Sequence, residues 1–528
     1  MFFFRLGSNS FHDADEARYS IVSKNILIEN DWLTPRFNGE AYFAKPPLKF
    51  WLTAILFRIF GTSEWTARFW SAAAGFGAVI CAALMGRRVY GEAAGLWAGL
   101  ALATTTQFLY EHCARSGEMD AMVLFFLVSS LFALVCSEDN PRYLTLSFVL
   151  MGFSSLTKNF AGFFPFGIAW IYLVVTGKWR NFTRARLIGS SLLFLAISLS
   201  WVITMIAMYG TTFIHSYIVQ QSLERVVADD YQLGGDKGAK TILGGFVFLG
   251  RTMLNGFYPW SLLLIPAFIW SLFQIPKWRK QTQLLPIVWF LTFAIGLLLF
   301  KNKWYWYLVP LYPAAALFIG AFLQMLWTKF DWKSAVIAAV IIAGGFLLKQ
   351  QSDYNPFDDA AIALKVSTLD WQTPTIAIVA MITALTAIWL LIAKKSMKAA
   401  GMLISAGLIF VAAHFAALPL RYSQHTSEID QLTDELTNSI SQPENTIYLC
   451  DWRSSILKWY LGEVPRSKLQ LINCNERSIR PLLTAGPDKF LLLPDKYYRT
   501  IEEAQRTHLI GSVVIKSVKY QLVQSSKS

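Results

Sequence analysis

The sequence predicts a mainly α-helical, polytopic membrane bundle joined to a small C-terminal α/β domain, and three features lead there. Hydrophobic residues make up 55% of the 528 and charged residues 15%, too apolar a mixture for one soluble core. Apolar runs of about 17 to 25 residues, long enough to cross a bilayer as helices, recur through most of the chain. After about residue 420 they give way to short strand-like segments.

Residues 13–51 come first, reading DADEARYSIVSKNILIENDWLTPRFNGEAYFAKPPLKFW. Behind Asp15 and Glu16, the residues Tyr19, Val22 and Ile26 recur at helical spacing with Ile21 and Leu27 beside them, while Arg18, Lys24 and Glu29 fall elsewhere. This pattern predicts an amphipathic helix lying in the interface plane, with its acids at the positive N-terminal end. Lys45 precedes Pro46 and Pro47, which stiffen the backbone before the apolar run 48–60. A stiffened lysine at head-group depth suits a phosphate attached to a lipid.

Twelve membrane runs follow, near residues 65–88, 92–109, 119–137, 143–157, 160–177, 187–208, 257–275, 283–300, 306–327, 334–348, 374–393 and 399–419. Lysine and arginine in short loops are retained on the cytoplasmic side. Fifteen of them occupy alternate loops, from Arg87 and Arg88 through Arg142, Lys178, Arg180 and Lys277 to Lys394, Lys395 and Lys398. Few sit in the short loops on the other side, namely Arg115, Lys158, Lys301 and Lys303. The opening motif, those four cations and the C-terminal domain are therefore expected on the periplasmic or outer face. Twelve crossings with an outer C-terminus require an outer N-terminus, so residues 1–6 are expected to be the end of a further, first helix.

In the tail, residues 446–450, 469–472, 490–493 and 512–516 read as strands, with helical segments at 454–461 and 501–506. The expected organisation is a transmembrane domain over 1–420, with outer loops 13–60 and 209–242, and a soluble α/β domain over 421–528. Cys450 and Cys474 share that domain and are candidates to pair; Cys81, Cys113 and Cys136 lie in or beside membrane runs as small hydrophobes. The net charge of +13 resides largely in inner loops, where anionic head groups attract it, so membrane lipids rather than nucleic acid are the expected partners. The six histidines show no ligand spacing and receive no role.

Charged residues converge on the outer side: Asp15, Glu16 and Arg18, then Lys45, then Glu118 and Asp120 opening a membrane helix, Lys158 in the next outer turn, and Arg225 in the long outer loop. Lone charges at an interface commonly snorkel or cap helices; their recurrence on one face points to a site. Aromatic residues at 257–260 and 304–307 suit an interfacial belt or a surface for a sugar or isoprenoid.

DEARY at 15–19, NDWLTPRFNGEAYFAKPPLKFW at 30–51, LTKNF at 156–160 and KNKWYWYLVPLYPAAAL at 301–317 resemble, in order and spacing, the family 39 glycosyltransferases of the GT-C fold. That family includes the aminoarabinose transferase that modifies lipid A and is related to protein O-mannosyltransferases. The resemblance implies thirteen membrane helices, a bacterial inner-membrane location, a polyprenyl-phosphate sugar donor, and transfer to a lipid, glycan or protein acceptor at the periplasmic face. It also implies roles: Asp15 as the essential acid of the first loop, Asp120 as the acid of the second, and Lys45, Lys158, Arg225 and Tyr307 around the donor phosphate. Glu16, Arg18, Lys301 and Lys303 are further candidates.

The chemistry needs these types. A carboxylate can take the acceptor proton as the bond to the anomeric carbon forms, and fixed cations in a partly dry cleft stabilise the departing phosphate. Direct displacement inverts the anomeric centre. The aminoarabinose branch carries an acid just before the phosphate lysine and a histidine near QQSLERV; here those positions are Ala44 and Ser222. Neither supplies the metal ligands found there, so no metal is expected at that place, and the departures weaken the case for aminoarabinose and lipid A. The second functional class is a transporter or flippase of lipid-linked sugars, against which stands the placing of charges at helix ends rather than near the midplane.

Overall fold

The computed structural model describes residues 1–8, 10–11, 14–110, 112–158, 160–223, 242–257, 260–300 and 303–328, then 446–450, 459, 469–472, 476–483, 489–500, 507–515 and 518–524. The chain divides into two compact units, Val22–Asp353 with Phe2, and Phe3–Ile21 with Tyr354–Ser528.

The first unit is a helical bundle. Its elements are α1 (Ala14–Glu29, whose first half belongs to the second unit), the hairpin β1 (Arg36–Phe37) and β2 (Glu40–Ala41), α2 (Leu48–Phe60), α3 (Glu64–Tyr90) and α4 (Glu92–Ala103). There follow α5 (Thr106–Tyr110), α6 (Asp120–Cys136), α7 (Arg142–Thr157), α8 (Phe164–Thr176) and α9 (Arg184–Phe213). The last four are α10 (Ile242–Gly256), α11 (Ser261–Phe273), α12 (Leu285–Leu299) and α13 (Tyr312–Thr328). Every predicted run up to residue 327 carries a helix, and the runs at 334–348, 374–393 and 399–419 lie outside the described residues. Among the described residues, four stretches, Glu64–Tyr90, Arg184–Gln221, Thr282–Leu299 and Tyr305–Met325, are long and apolar enough to cross a membrane by themselves. Others are shorter than predicted, in one case because a polar residue intervenes. The run 92–109 breaks where the Thr104 hydroxyl donates to the Leu100 carbonyl and accepts from Trp260 Nε1 at 2.7 Å.

Loops expected on one side do meet. Arg88 pairs with Asp139, and Lys178 pairs with Glu138. The Glu138 carboxylate also accepts from Tyr172 at 3.0 Å and from the Thr282 hydroxyl at 2.9 Å. This clasp joins the ends of α6 and α8 to the turn before α12.

Helix α1 differs from its expectation. Ala17, Ser20, Val22, Ser23 and Ile26 are all buried, so most of its circumference is covered rather than one face. Its small polar side chains permit this because they are bonded locally, as where the Ser20 hydroxyl donates to the Glu16 carbonyl at 2.9 Å. The one-sided helix is instead α2, which buries Phe50, Ala54 and Phe57 and exposes Ile59 and Phe60.

In the second unit, a five-stranded mixed sheet has the order β4-β3-β5-β7-β6, formed by β3 (Thr446–Cys450), β4 (Leu469–Ile472), β5 (Lys489–Pro494), β6 (His508–Ile515) and β7 (Val518–Gln524). β3 runs parallel to β4 and β5, and β7 runs antiparallel to β5 and β6. Helices α14 (Glu476–Leu483) and α15 (Asp495–Thr500) accompany it, and Ile479 and Leu483 join Tyr448, Leu491, Leu493 and Val523 in its core. The expected strand 512–516 starts earlier, and β7 was not anticipated because its polar residues mask the alternation. One of them, Gln521, is buried and donates to Asp495 at 2.7 Å. The expected helical segment 501–506, the side chain of Cys450 and all of Cys474 lie outside the described residues.

Candidate active site

The segment before Lys45 is held by polar and aromatic contacts along its whole length. Asn38 and Gly39 both take positive φ, as the two-residue turn of this hairpin requires. Arg36 reaches Glu29 at 3.2 Å and Asp31 at 3.4 Å. Partial removal from water would raise the Asp31 carboxyl, but the amides of Thr34 and Leu33 and the Arg36 guanidinium outweigh it and hold the group below its ordinary value. The Thr34 hydroxyl meets Tyr209 Oη at 3.1 Å, and Trp201 Nε1 donates to the Leu33 carbonyl at 3.0 Å. Phe43 packs its ring on Tyr209 and Phe213, with centroids 5.0 and 5.2 Å away. Two residues on, Lys45 is 6% exposed. The loop is thereby fastened to α9 where that helix kinks at Gly210, whose φ of 54° and ψ of −129° are not helical. Beyond it, residues Ile214–Leu223 form a π-helix.

A second group forms where α6 begins and α7 ends. Lys158 caps α7 in extended conformation, and the chain folds straight back: the Gly162 amide donates to the Lys158 carbonyl at 2.8 Å. Only glycine fits at 162, since a Cβ there would lie 2.3 Å from Ser155 Cα. This turn aims Lys158 Nζ at Asp120 Oδ1, 2.7 Å away, with the two side chains 14% and 10% exposed. The ammonium also lies 6.0 Å from the centroid of the Tyr307 ring, near the limit of a cation–π contact. Burial pushes the Lys158 pKa down, but Asp120, by charge and hydrogen bond, together with Tyr307 and Glu118, more than reverses this and holds it above the ordinary lysine value. Glu118 itself is buried, and its backbone carbonyl accepts from the Ser71 hydroxyl at 2.7 Å.

Of the remaining candidates, Asp15 opens α1 and pairs with Arg18 at 2.9 Å, its side chain 34% exposed. Glu16 is wholly buried, and Lys303 is 2% exposed with its Nζ donating to the Phe300 carbonyl. Arg225 and Lys301 lie outside the described residues, as does the side chain of Ser222. The structure thus joins Asp120, Lys158 and Tyr307 in one group with Glu118, and Asp15 with Arg18. Sequence reasoning missed His112, whose place beside Glu118 comes from the fold of the loop between α5 and α6.

Ala44, which immediately precedes Lys45, carries no side-chain donor atom for a metal. Among the described residues no group of three His, Cys, Asp or Glu side chains gathers to hold a metal.

Residues 44–206 match the family described as dolichyl-phosphate-mannose-protein mannosyltransferase. An uncharacterized protein of Aquifex aeolicus is 25% identical over 355 residues, covering 65% of this chain and 67% of its own. The undecaprenyl phosphate-alpha-4-amino-4-deoxy-L-arabinose arabinosyl transferase 2 of Proteus mirabilis is 25% identical over 388 residues, 68% of this chain and 65% of the relative. The chain therefore matches a little under two thirds of that transferase. The crystal structure of ArnT from Cupriavidus metallidurans bound to undecaprenyl phosphate superposes with a TM-score of 0.73 at 18% identity, covering 99% of this chain and 95% of the other. The apo oligosaccharyltransferase of Archaeoglobus fulgidus gives 0.53 at 14% identity, with 95% and 69% covered.

The fold is a mainly helical, multi-pass membrane bundle with a small C-terminal β region, matching that of the ArnT structure. Within it, residues 44–206 resemble the mannosyltransferase family, and the relatives with assigned names are aminoarabinose transferases. Of the two functional classes left open by the sequence, these matches favour a transferase over a transporter.

Proposed function

We propose that this protein transfers a sugar from a polyprenyl phosphate, of the undecaprenyl type, to a hydroxyl or phosphate group of a lipid, glycan or protein at the periplasmic face, inverting the anomeric centre. The observation that carries the reading is the buried Asp120–Lys158 pair facing Tyr307, set in the family-matched stretch 44–206 on its α6 and α7 side. An ammonium held in its charged form at a helix end suits an anionic lipid phosphate.

In the proposed reaction an oxygen of the acceptor bonds to the anomeric carbon while the bond from that carbon to the phosphate oxygen breaks. The acceptor proton passes to a carboxylate, and the electron pair leaves on the phosphate. Asp15 is the proposed base, because its carboxylate is 34% exposed whereas that of Asp120 is 10% exposed and engaged by Lys158. Lys45 and Arg225 are proposed to meet the phosphate charge. Asp120 acts by keeping Lys158 charged and aimed. No step is assigned to a metal, in keeping with Ala44, so chelators should leave turnover unchanged.

The test is to supply membranes containing the full chain with undecaprenyl-phosphate sugars, one pentose or hexose at a time, and to follow release of undecaprenyl phosphate. Release with one sugar, and its appearance on an extractable acceptor, is the expected result. Intact donors throughout, with well-folded protein, would overturn the reading.

A further inference from the structure

Beside the Asp120–Lys158 pair lies a residue to which neither the sequence pattern nor the proposed chemistry gives work. His112 is 9% exposed, yet its backbone takes a φ of +53°, a left-handed conformation that is uncommon outside glycine and that surrounding structure must hold in place. Its ring stacks on Trp306, centroids 4.0 Å apart and planes 22° from parallel. Trp306 in turn stacks on Trp304 at 4.5 Å and 21°. Tyr305 meets both His112 and Trp306 edge-on, at 6.3 and 4.7 Å. On its other side His112 places Nδ1 3.6 Å from Glu118 Oε1.

These contacts link two arms of the candidate site that are far apart in sequence. One is the loop that ends in Glu118 and Asp120, leading into α6. The other is the 3₁₀ segment Tyr305–Leu311 that leads into α13 and carries Tyr307 to within reach of Lys158. The residue next to Tyr307 is the one His112 holds.

We propose that His112 is a positioning residue: its stack on Trp306 sets the distance between Tyr307 and the Asp120–Lys158 pair, and thereby the fit of the lipid phosphate. The inference rests on the donor reading given above. It assigns the ring face, rather than proton exchange, as the working feature of His112.

Asparagine tolerates the left-handed backbone but removes the ring, whereas phenylalanine keeps a ring able to stack. The full chain in nanodiscs is therefore titrated with undecaprenyl phosphate alone, comparing parental, His112→Asn and His112→Phe proteins after matching their melting temperatures. The expected result is a Kd about 10-fold weaker for His112→Asn and within about 2-fold of parental for His112→Phe, the scale set by loss of one aromatic contact. Parental affinity in His112→Asn, or equal losses in both variants, would overturn the inference. If His112→Asn does not fold, Trp306→Leu removes the same stack from its other side and must weaken binding; parental affinity there overturns the inference as well. Failure of the parental protein to bind undecaprenyl phosphate at all would instead reject the donor reading.

Discussion

At the residue scale, the roles proposed for Asp15 and Lys45 are separable. Loss of a positioned base costs typically about 10²- to 10⁴-fold in rate, so Asp15→Asn should reduce turnover by at least about 10²-fold while leaving undecaprenyl phosphate affinity near parental. Lys45→Ala should weaken that affinity and turnover together, because its ammonium is proposed to meet phosphate in both ground and transition states. Binding and single-turnover measurements on the two variants separate these outcomes; parental turnover in Asp15→Asn would remove it from the role of base. The Asp120–Lys158 pair makes a different prediction. Removing one partner leaves the other buried and uncompensated, which costs about 3–5 kcal/mol, whereas replacing both with apolar residues costs far less. Lys158→Met should thus lower the melting temperature more than the double change Asp120→Leu with Lys158→Met. The raised Lys158 pKa means that its contribution is fully present below the ordinary lysine value and is lost as pH rises through the higher folded value. Titration from pH 6 to 9 should leave the pair intact.

At the scale of elements, the loop 30–43 and the kinked α9 form one fastened piece. Asp31 is held below its ordinary value, so its contribution to this loop is present above the unfolded carboxylate value, about 3.9, and is lost only as pH falls through the lower folded one. Proteolytic protection of the loop should persist at pH 5 and disappear in stronger acid. A Cβ on Gly210 would meet nothing within 4 Å, so the effect of Gly210→Ala is purely that of its positive φ. The variant should lose about 1–2 kcal/mol, read as a lower melting temperature. Much of this scale was legible from the chain: apart from α10 (Ile242–Gly256), which no expected run covers, apolar runs located the membrane helices through α13, and the basic loops that meet at the Glu138 clasp were assigned to one side by lysine and arginine alone. Hydropathy did not reveal where polar side chains interrupt a run, as at Thr104. Nor did helical spacing reveal that α1 is covered on most sides, since Ser20 reads as polar until its hydroxyl is seen donating to the Glu16 carbonyl. In the sheet, Gln521 hid β7 for the same reason.

For the whole molecule, the candidate site was half legible. Lys158 and Asp120 are 38 positions apart, and only the antiparallel pairing of α6 with α7 brings them together; motif order named both but not their pairing. His112 carries no motif and became visible only through its stack on Trp306, across nearly two hundred residues of chain. The fold matches that of ArnT, and the proposed function is the movement of a sugar from a lipid phosphate. That claim is tested most directly by a mass-spectrometric inventory of polyprenyl-phosphate sugars and envelope glycolipids, glycans and glycoproteins. The cells compared carry the parental gene, no gene, or the Asp15→Asn form at matched expression. One lipid-linked sugar should accumulate and one sugar-bearing product disappear in both defective strains; an inventory identical in all three would overturn the proposed transfer.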